Sequence, residues 1–299
     1  MAERIFYLNG EYVRESEAKI SIHDRGFTFG DAAYDISRTF NHQPFKWLEH
    51  IDRLFCSLRY IQIDPGLTPQ QIYDITLEVF KRNEVNLGQN DDYLIIHRVT
   101  RGEGLFTPPE KPTVLIYCHP IAFEVFARKY TEGVHVVVAS TRRIPPQCLD
   151  PKAKLQNKLN HILAELEAKS VAPDAYALML DLEGCIAECS AQNLFIVKEE
   201  RLLTPTRGSI LEGITRATIL DLAKEIGIES AECNLYTYDL YNADEIFISA
   251  NSFTMFPVAK VDTKTLGKPI PGPVTERLLA AWNKTVGIDI VQQAQSHLN

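Results

Sequence analysis

The chain has 299 residues, enough for about two domains at roughly 150 residues each. Hydrophobic residues make up 45% and charged ones 23%, which excludes collagen-like and disordered classes and leaves ample core. With 31 basic against 39 acidic side chains the formal charge is −8, which disfavours nonspecific attraction to nucleic acid or to an anionic membrane. In chain order, Ile5 to Leu8 and Tyr12-Val13 flank Asn9-Gly10, a dipeptide that tolerates positive φ and so predicts a tight hairpin. A strand is expected over 34–40. A helix is expected over 50–61, with Ile51, Leu54, Phe55 and Leu58 at helical spacing. Thr68 as cap and Pro69 in the first helical position predict a second helix over 69–83. Strands over 93–100 and 113–118 follow, separated by Arg101-Gly102-Glu103-Gly104 and Pro108-Pro109, which are loop chemistry.

After His119 the pattern loosens. The expected organisation is a small N-terminal domain over 1–120, a linker over 121–133 and a larger domain over 134–299. In the latter, strands are expected over 135–140, 176–181, 193–197 and 245–249, and helices over 155–170, 215–226 and 273–286. Strands and helices mix without regular βαβ alternation, which predicts an α+β fold. There are no internal repeats.

Six cysteines form no CxxC pair, and Cys185 and Cys189 lack a second pair at zinc-ligand spacing. No HExxH cluster occurs, so no metal site is expected. The N-terminus is charged and broken by Asn9-Gly10, unlike a signal peptide, and no apolar run approaches the roughly 18 residues of a membrane helix. A soluble cytoplasmic protein follows as the expectation.

Four segments can carry chemistry. Asp150 to Asn157 places Lys154 ahead of an apolar helix pattern. A partly desolvated lysine there is a nucleophile towards carbonyls, while a solvated helix lysine is the plainer reading, with Lys152 and Lys158 close by. Glu188 precedes a small-residue turn feeding an apolar strand, where its carboxylate can pair with a ring nitrogen or simply face solvent. Glu212-Gly213-Ile214-Thr215-Arg216 opens a helix whose free N–H groups form an anion site or merely an N-terminal cap. His50-Ile51-Asp52-Arg53-Leu54 offers Arg53 as a phosphate clamp or as a surface ion pair.

Taken together, these segments resemble one family. Asp24-Arg25-Gly26-Phe27-x-Phe29-Gly30-Asp31, the Arg53 segment, Lys154-x-x-Asn157, the Glu188 to Phe195 segment, Gly213-Ile214-Thr215-Arg216 and Asp244-Glu245-Ile246-Phe247 occur in the order found in the class IV pyridoxal-phosphate enzymes. That family holds branched-chain and D-amino-acid aminotransferases, (R)-selective amine transaminases and aminodeoxychorismate lyase. The resemblance implies a fold-type-IV architecture, with a small α/β domain and a larger pseudo-barrel domain. It implies pyridoxal 5′-phosphate as cofactor, a homodimer, and a site between the domains. Lys154 then carries the cofactor as an internal aldimine, and Glu188 salt-bridges its ring nitrogen. Arg53, the N–H groups of Ile214 and Thr215 and the Asn251-Ser252 turn match the phosphate cup.

Lys158 matches a position near the phenolic oxygen that is tyrosine in branched-chain enzymes and basic in the lyase. Tyr34 and Arg38, four residues apart on one strand face, match substrate-side positions, Arg38 as a carboxylate partner. A packed aromatic remains the alternative for Tyr34. The implied activity moves an amino group from an apolar amino acid, branched-chain type, to a 2-oxo acid in ping-pong half-reactions. An (R)-amine or D-amino-acid transaminase is the first alternative, aminodeoxychorismate lyase the second, and a noncatalytic binding protein of the same fold the third. No nucleic-acid or membrane partner is implied.

Overall fold

A computed structural model describes residues 3–106, 109, 111–267 and 269–298; Pro108 of the expected loop lies outside them. Packing divides the chain into two units, residues 1–121 with 153–157, and residues 122–152 with 158–299.

The first unit opens with the hairpin β1 (Ile5–Leu8) and β2 (Glu11–Arg14). Its turn rests on Asn9 at φ 49° and Gly10 at φ 101°. The single-turn helix α1 (Arg25–Phe29) follows. Asp24 caps it by accepting the Gly26 N–H at 2.7 Å, and Gly30 closes it in the left-handed region. Then come β3 (Ala32–Phe40), β4 (Gln43–Phe45), α2 (Trp47–Tyr60), α3 (Pro69–Asn83), β5 (Tyr93–Thr100) and β6 (Thr113–Pro120). The strands form one antiparallel sheet in the order β2-β1-β6-β5-β3-β4. Helices α2 and α3 cover it, burying Ile51, Leu54 and Leu58 from one and Ile72, Val79 and Phe80 from the other. Thr68 accepts the Gln71 N–H at 3.2 Å and Gln71 returns the bond at 2.8 Å, a reciprocal cap that starts α3 where the sequence places it.

The second unit contains, in order, α4 (Phe123–Phe126), α5 (Lys129–Glu132), β7 (Val134–Val138), α6 (Leu159–Val171), β8 (Tyr176–Leu180), β9 (Ile186–Cys189), β10 (Asn193–Lys198) and β11 (Arg201–Pro205). It continues with α7 (Ile214–Glu225), β12 (Ser230–Cys233), α8 (Thr237–Tyr241), β13 (Glu245–Ala250), β14 (Thr254–Val261), β15 (Lys264–Thr265), α9 (Pro273–Val286) and α10 (Ile290–Gln295). Its sheet runs β12-β11-β10-β13-β14-β7-β8-β9, with β15 beside β14. The sheet curls enough to bring β9 back towards β10. Parallel and antiparallel pairs mix, as the α+β expectation requires.

Three expectations need correction. Residues 121–133 are no linker: they form α4 and α5, with Phe123 and Tyr130 buried and the Tyr130 hydroxyl donating to the Phe253 carbonyl at 2.7 Å. Residues 153–157 pack with the first unit, so Lys154 does not belong to the larger one. The helix expected from residue 155 starts at Leu159, and its apolar stripe faces outward. Leu159, Ile162, Leu163 and Leu166 are 46–62% exposed, whereas Ala164 and Ala168 pack against β7 and β8. Small alanines permit the close approach of helix to sheet, which leaves the leucines on the far side.

Candidate active site

In the first unit, the segment carrying Lys154 is stitched to β3. The Tyr34 N–H donates to the Lys154 carbonyl at 3.1 Å, the Gln156 N–H donates to the Ala32 carbonyl at 2.9 Å, and Leu155 bridges Ala33. The Lys154 N–H donates to the Ser57 hydroxyl at 3.0 Å, and that hydroxyl donates to the Arg53 carbonyl at 3.0 Å. A strand and a helix therefore fix the lysine backbone from two sides. Its Nζ lies 4.6 Å from the centre of the Tyr34 ring, a cation–π contact that sets the amine over an aromatic face.

Beneath lies a buried charged triad that the sequence reading did not single out. Asp35 is fully buried. It accepts from Arg53 Nε and Nη2, each at 2.8 Å, and sits 2.7 Å from His50 Nδ1. Burial alone would raise the Asp35 carboxyl, but Arg53 and His50 outweigh it and hold it well below the usual carboxylate range. Burial lowers the His50 imidazole, with Asp35 pulling the other way. The bidentate grip orients the guanidinium of Arg53.

In the second unit, Glu188 on β9 is 5% exposed and held by three donors. Arg143 Nε lies 3.1 Å from Oε1, the Leu211 N–H donates to Oε2 at 3.0 Å, and Asn193 Nδ2 approaches Oε2 at 3.5 Å. Asn193 also donates to the Leu211 carbonyl at 3.0 Å. It stands so close to Gly213 that a Cβ there would meet its Oδ1 at 2.1 Å. Gly213 is the N-cap of α7 and carries no side chain to occupy the first N–H groups of the helix, those of Ile214 and Thr215. Asn193 pairs with Ser249 across β10 and β13, and the Asn251-Ser252 turn follows two residues later. The carboxylate, the helix start and this turn thus gather at one end of the sheet.

The sequence-selected residues therefore fall into two sets, Tyr34, Arg53 and Lys154 in one unit, and Glu188, Ile214, Thr215, Asn251 and Ser252 in the other. Lys158 is the N-cap of α6 and belongs to the second unit. Arg38 departs from its expected place. It shares the Tyr34 face of β3, yet it is 1% exposed, stacked 3.8 Å from the centre of the Phe40 ring, with Nε donating to the Thr39 carbonyl at 2.9 Å and Nη2 3.8 Å from Asp92. Its guanidinium is packed there, between Phe40 and Asp92. Asp35, Arg143 and Asn193 were missed; only their pairing in three dimensions marks them out.

The family model described as Amino-transferase class IV matches residues 32–261. The chain belongs to the class IV aminotransferases. A Methanocaldococcus jannaschii protein, named provisionally as a branched-chain-amino-acid aminotransferase, is 38% identical over 277 residues, covering 91% of this chain and 93% of its own. A D-alanine aminotransferase of Bacillus licheniformis is 29% identical over 287 residues, covering 93% of this chain and 95% of its own. The solved structure of a T.th. branched-chain amino acid aminotransferase with pyridoxamine 5′-phosphate superimposes with a TM-score of 0.88 at 25% identity, covering 96% of this chain and 95% of that one.

Class IV aminotransferases transfer amino groups with pyridoxal 5′-phosphate as cofactor. The donor sets fit such a group. The first unit presents an amine and an oriented guanidinium. The second presents a buried carboxylate beside a helix start whose cap is a glycine that a Cβ would crowd. No helix of the described residues is long and apolar enough to cross a membrane.

Proposed function

We propose that this class IV aminotransferase takes the amino group of an apolar amino acid, of branched-chain type, and passes it to a 2-oxo acid in two successive half-reactions. The carrying observation is the setting of Lys154, its amine 4.6 Å from the centre of the Tyr34 ring and its N–H tied through Ser57 to the helix that bears Arg53. The M. jannaschii relative supports the donor class.

When bound, pyridoxal 5′-phosphate supplies an aldehyde and a ring that accepts the electron pair released at the substrate Cα. Lys154 would hold the aldehyde end through its amine, with water as the leaving group. Once displaced by the donor's amine, it would serve as the positioned acid and base for the proton at the substrate Cα. Glu188 salt-bridges the ring nitrogen. A carboxylate oxygen has two lone pairs, so its present donors orient it without saturating it. Arg53, the Ile214 and Thr215 N–H groups and the Asn251-Ser252 turn bind the phosphate, where a helix start and a guanidinium both favour a dianion. Lys158 would lie towards the phenolic oxygen, and Tyr34 would line the substrate side.

A half-reaction screen tests the reading. L-leucine, D-alanine, an (R)-arylamine and aminodeoxychorismate are each mixed with cofactor-loaded protein, and the cofactor band is followed. Bleaching by L-leucine is expected. Bleaching only by D-alanine or the amine would replace the donor class, and pyruvate release from aminodeoxychorismate without an acceptor would replace the reaction.

The same reading makes the enzyme a homodimer in a reducing cytoplasm. The exposed Leu159, Ile162, Leu163 and Leu166 ridge supports a protein contact, and the six free cysteines support the compartment. Light scattering of the wild type and of L163E is expected to give a dimer and a monomer; a monomeric wild type would overturn it.

A further inference from the structure

Arg98 stands on β5 directly across from Tyr34. Its guanidinium carbon is 5.4 Å from the centre of the ring that Lys154 Nζ approaches to 4.6 Å. One aromatic ring thus gathers two cations, the amine of the cofactor lysine and a guanidinium without a task. Cations held against one ring favour an anionic partner such as a carboxylate.

The partners of Arg98 are neutral. Nε donates to the Tyr117 hydroxyl at 3.2 Å, and Nη1 donates to Gln156 Oε1. Among the described residues no carboxylate lies within ion-pair distance of Arg98, and Nη2 has no hydrogen-bond partner. The contrast with other partly or fully buried arginines is clear: Arg25, Arg38, Arg53, Arg101, Arg143 and Arg216 each have a carboxylate. Arg98 is half-buried, so leaving it without a counter-charge costs more than it would at the surface. Tyr117 on β6 and Gln156, two residues from Lys154, meanwhile fix its orientation.

We propose that Arg98 binds the carboxylate of the amino donor and of the 2-oxo acid, the role that Arg38 was expected to take. Tyr117 and Gln156 aim the guanidinium, and Nη2 offers the edge for a charge-assisted bond beside the reacting amine. The site therefore selects substrates that carry a carboxylate over simple amines. This assignment rests on Lys154 being the cofactor lysine.

The test uses cofactor-loaded wild type, R98Q and R98K, titrated with 4-methylpentanoate, an achiral carboxylate that cannot react. The shift of the bound cofactor's visible band reports binding. R98Q is expected to weaken binding by about tenfold or more, and R98K by less, with cofactor content and the ligand-free band unchanged. Equal affinity in R98Q and wild type would overturn the proposal. So would loss of cofactor from both variants in step with loss of ligand, which marks a structural role. A wild type that holds no cofactor would instead overturn the underlying assignment of Lys154.

Discussion

Asp35 grips Arg53 through both carboxylate oxygens, each at 2.8 Å, and neither oxygen reaches solvent. The proposed phosphate ligand is therefore set by a residue fifteen positions from the His50 that completes the triad. D35N keeps the shape and removes the charge, leaving Arg53 without its partner. Unfolding of the apoprotein in urea is expected to show a loss of about 3–5 kcal/mol. Cofactor titration of the same variant is expected to show weaker binding. The folded-state carboxyl is depressed, so the stabilisation is complete above the ordinary carboxylate range and is lost as pH falls through it towards the folded value.

A second pH effect comes from His97. It is fully buried, and burial lowers its imidazole to about 4. Thr76 donates its hydroxyl proton to the Ile72 carbonyl at 2.6 Å, so His97 Nε2 donates to that hydroxyl at 2.8 Å. Nδ1 has no partner among the described residues, and a proton there would be a buried donor without an acceptor. A lowered folded value means stability is complete above the unfolded value near 6.5 and falls as pH drops towards 4. The full effect is about 3 kcal/mol. Thermal unfolding at pH 7 and pH 5 should show this slope in wild type and a shallower one in H97Q.

Glu188 and Arg143 form a buried pair, each side chain 7% exposed. Removing either alone strands a charge, so R143M and E188Q should each cost about 3–5 kcal/mol in urea. The double variant should cost clearly less than the two single losses together. Strict additivity would show that the pair does not couple.

Gly213 lacks room for a side chain because Asn193 Oδ1 would stand 2.1 Å from its Cβ. G213A must displace Asn193, and with it a donor to Glu188. The expected cost is about 1–3 kcal/mol, together with weaker cofactor binding. In N193G, where the obstacle is gone, adding G213A should have a smaller effect.

Much of the fold was legible in local chemistry. Thr68-Pro69 marks the start of α3, and Asn9-Gly10 marks the first hairpin, because cap and turn preferences act over a few residues. The segment around Lys154 was not legible. Leu155 to Leu166 has helical spacing, yet residues 154–156 bond to β3, a partner more than a hundred residues earlier. The outward leucines of α6 mimic a core stripe for the same reason. Motif order singled out Lys154, Glu188 and Arg53 as candidates. It could not reveal that Arg38 folds back onto Phe40, which its side-chain conformation decides, or that Arg98 meets Tyr34, which strand register decides.

Lys154 is the residue on which the proposed chemistry depends. The decisive measurement is the visible absorbance of wild type, K154A and K158A after loading with pyridoxal 5′-phosphate and desalting. Wild type and K158A are expected to keep the bound cofactor band, and K154A to lose it. A band that persists in K154A, or that disappears only in K158A, would contradict the account.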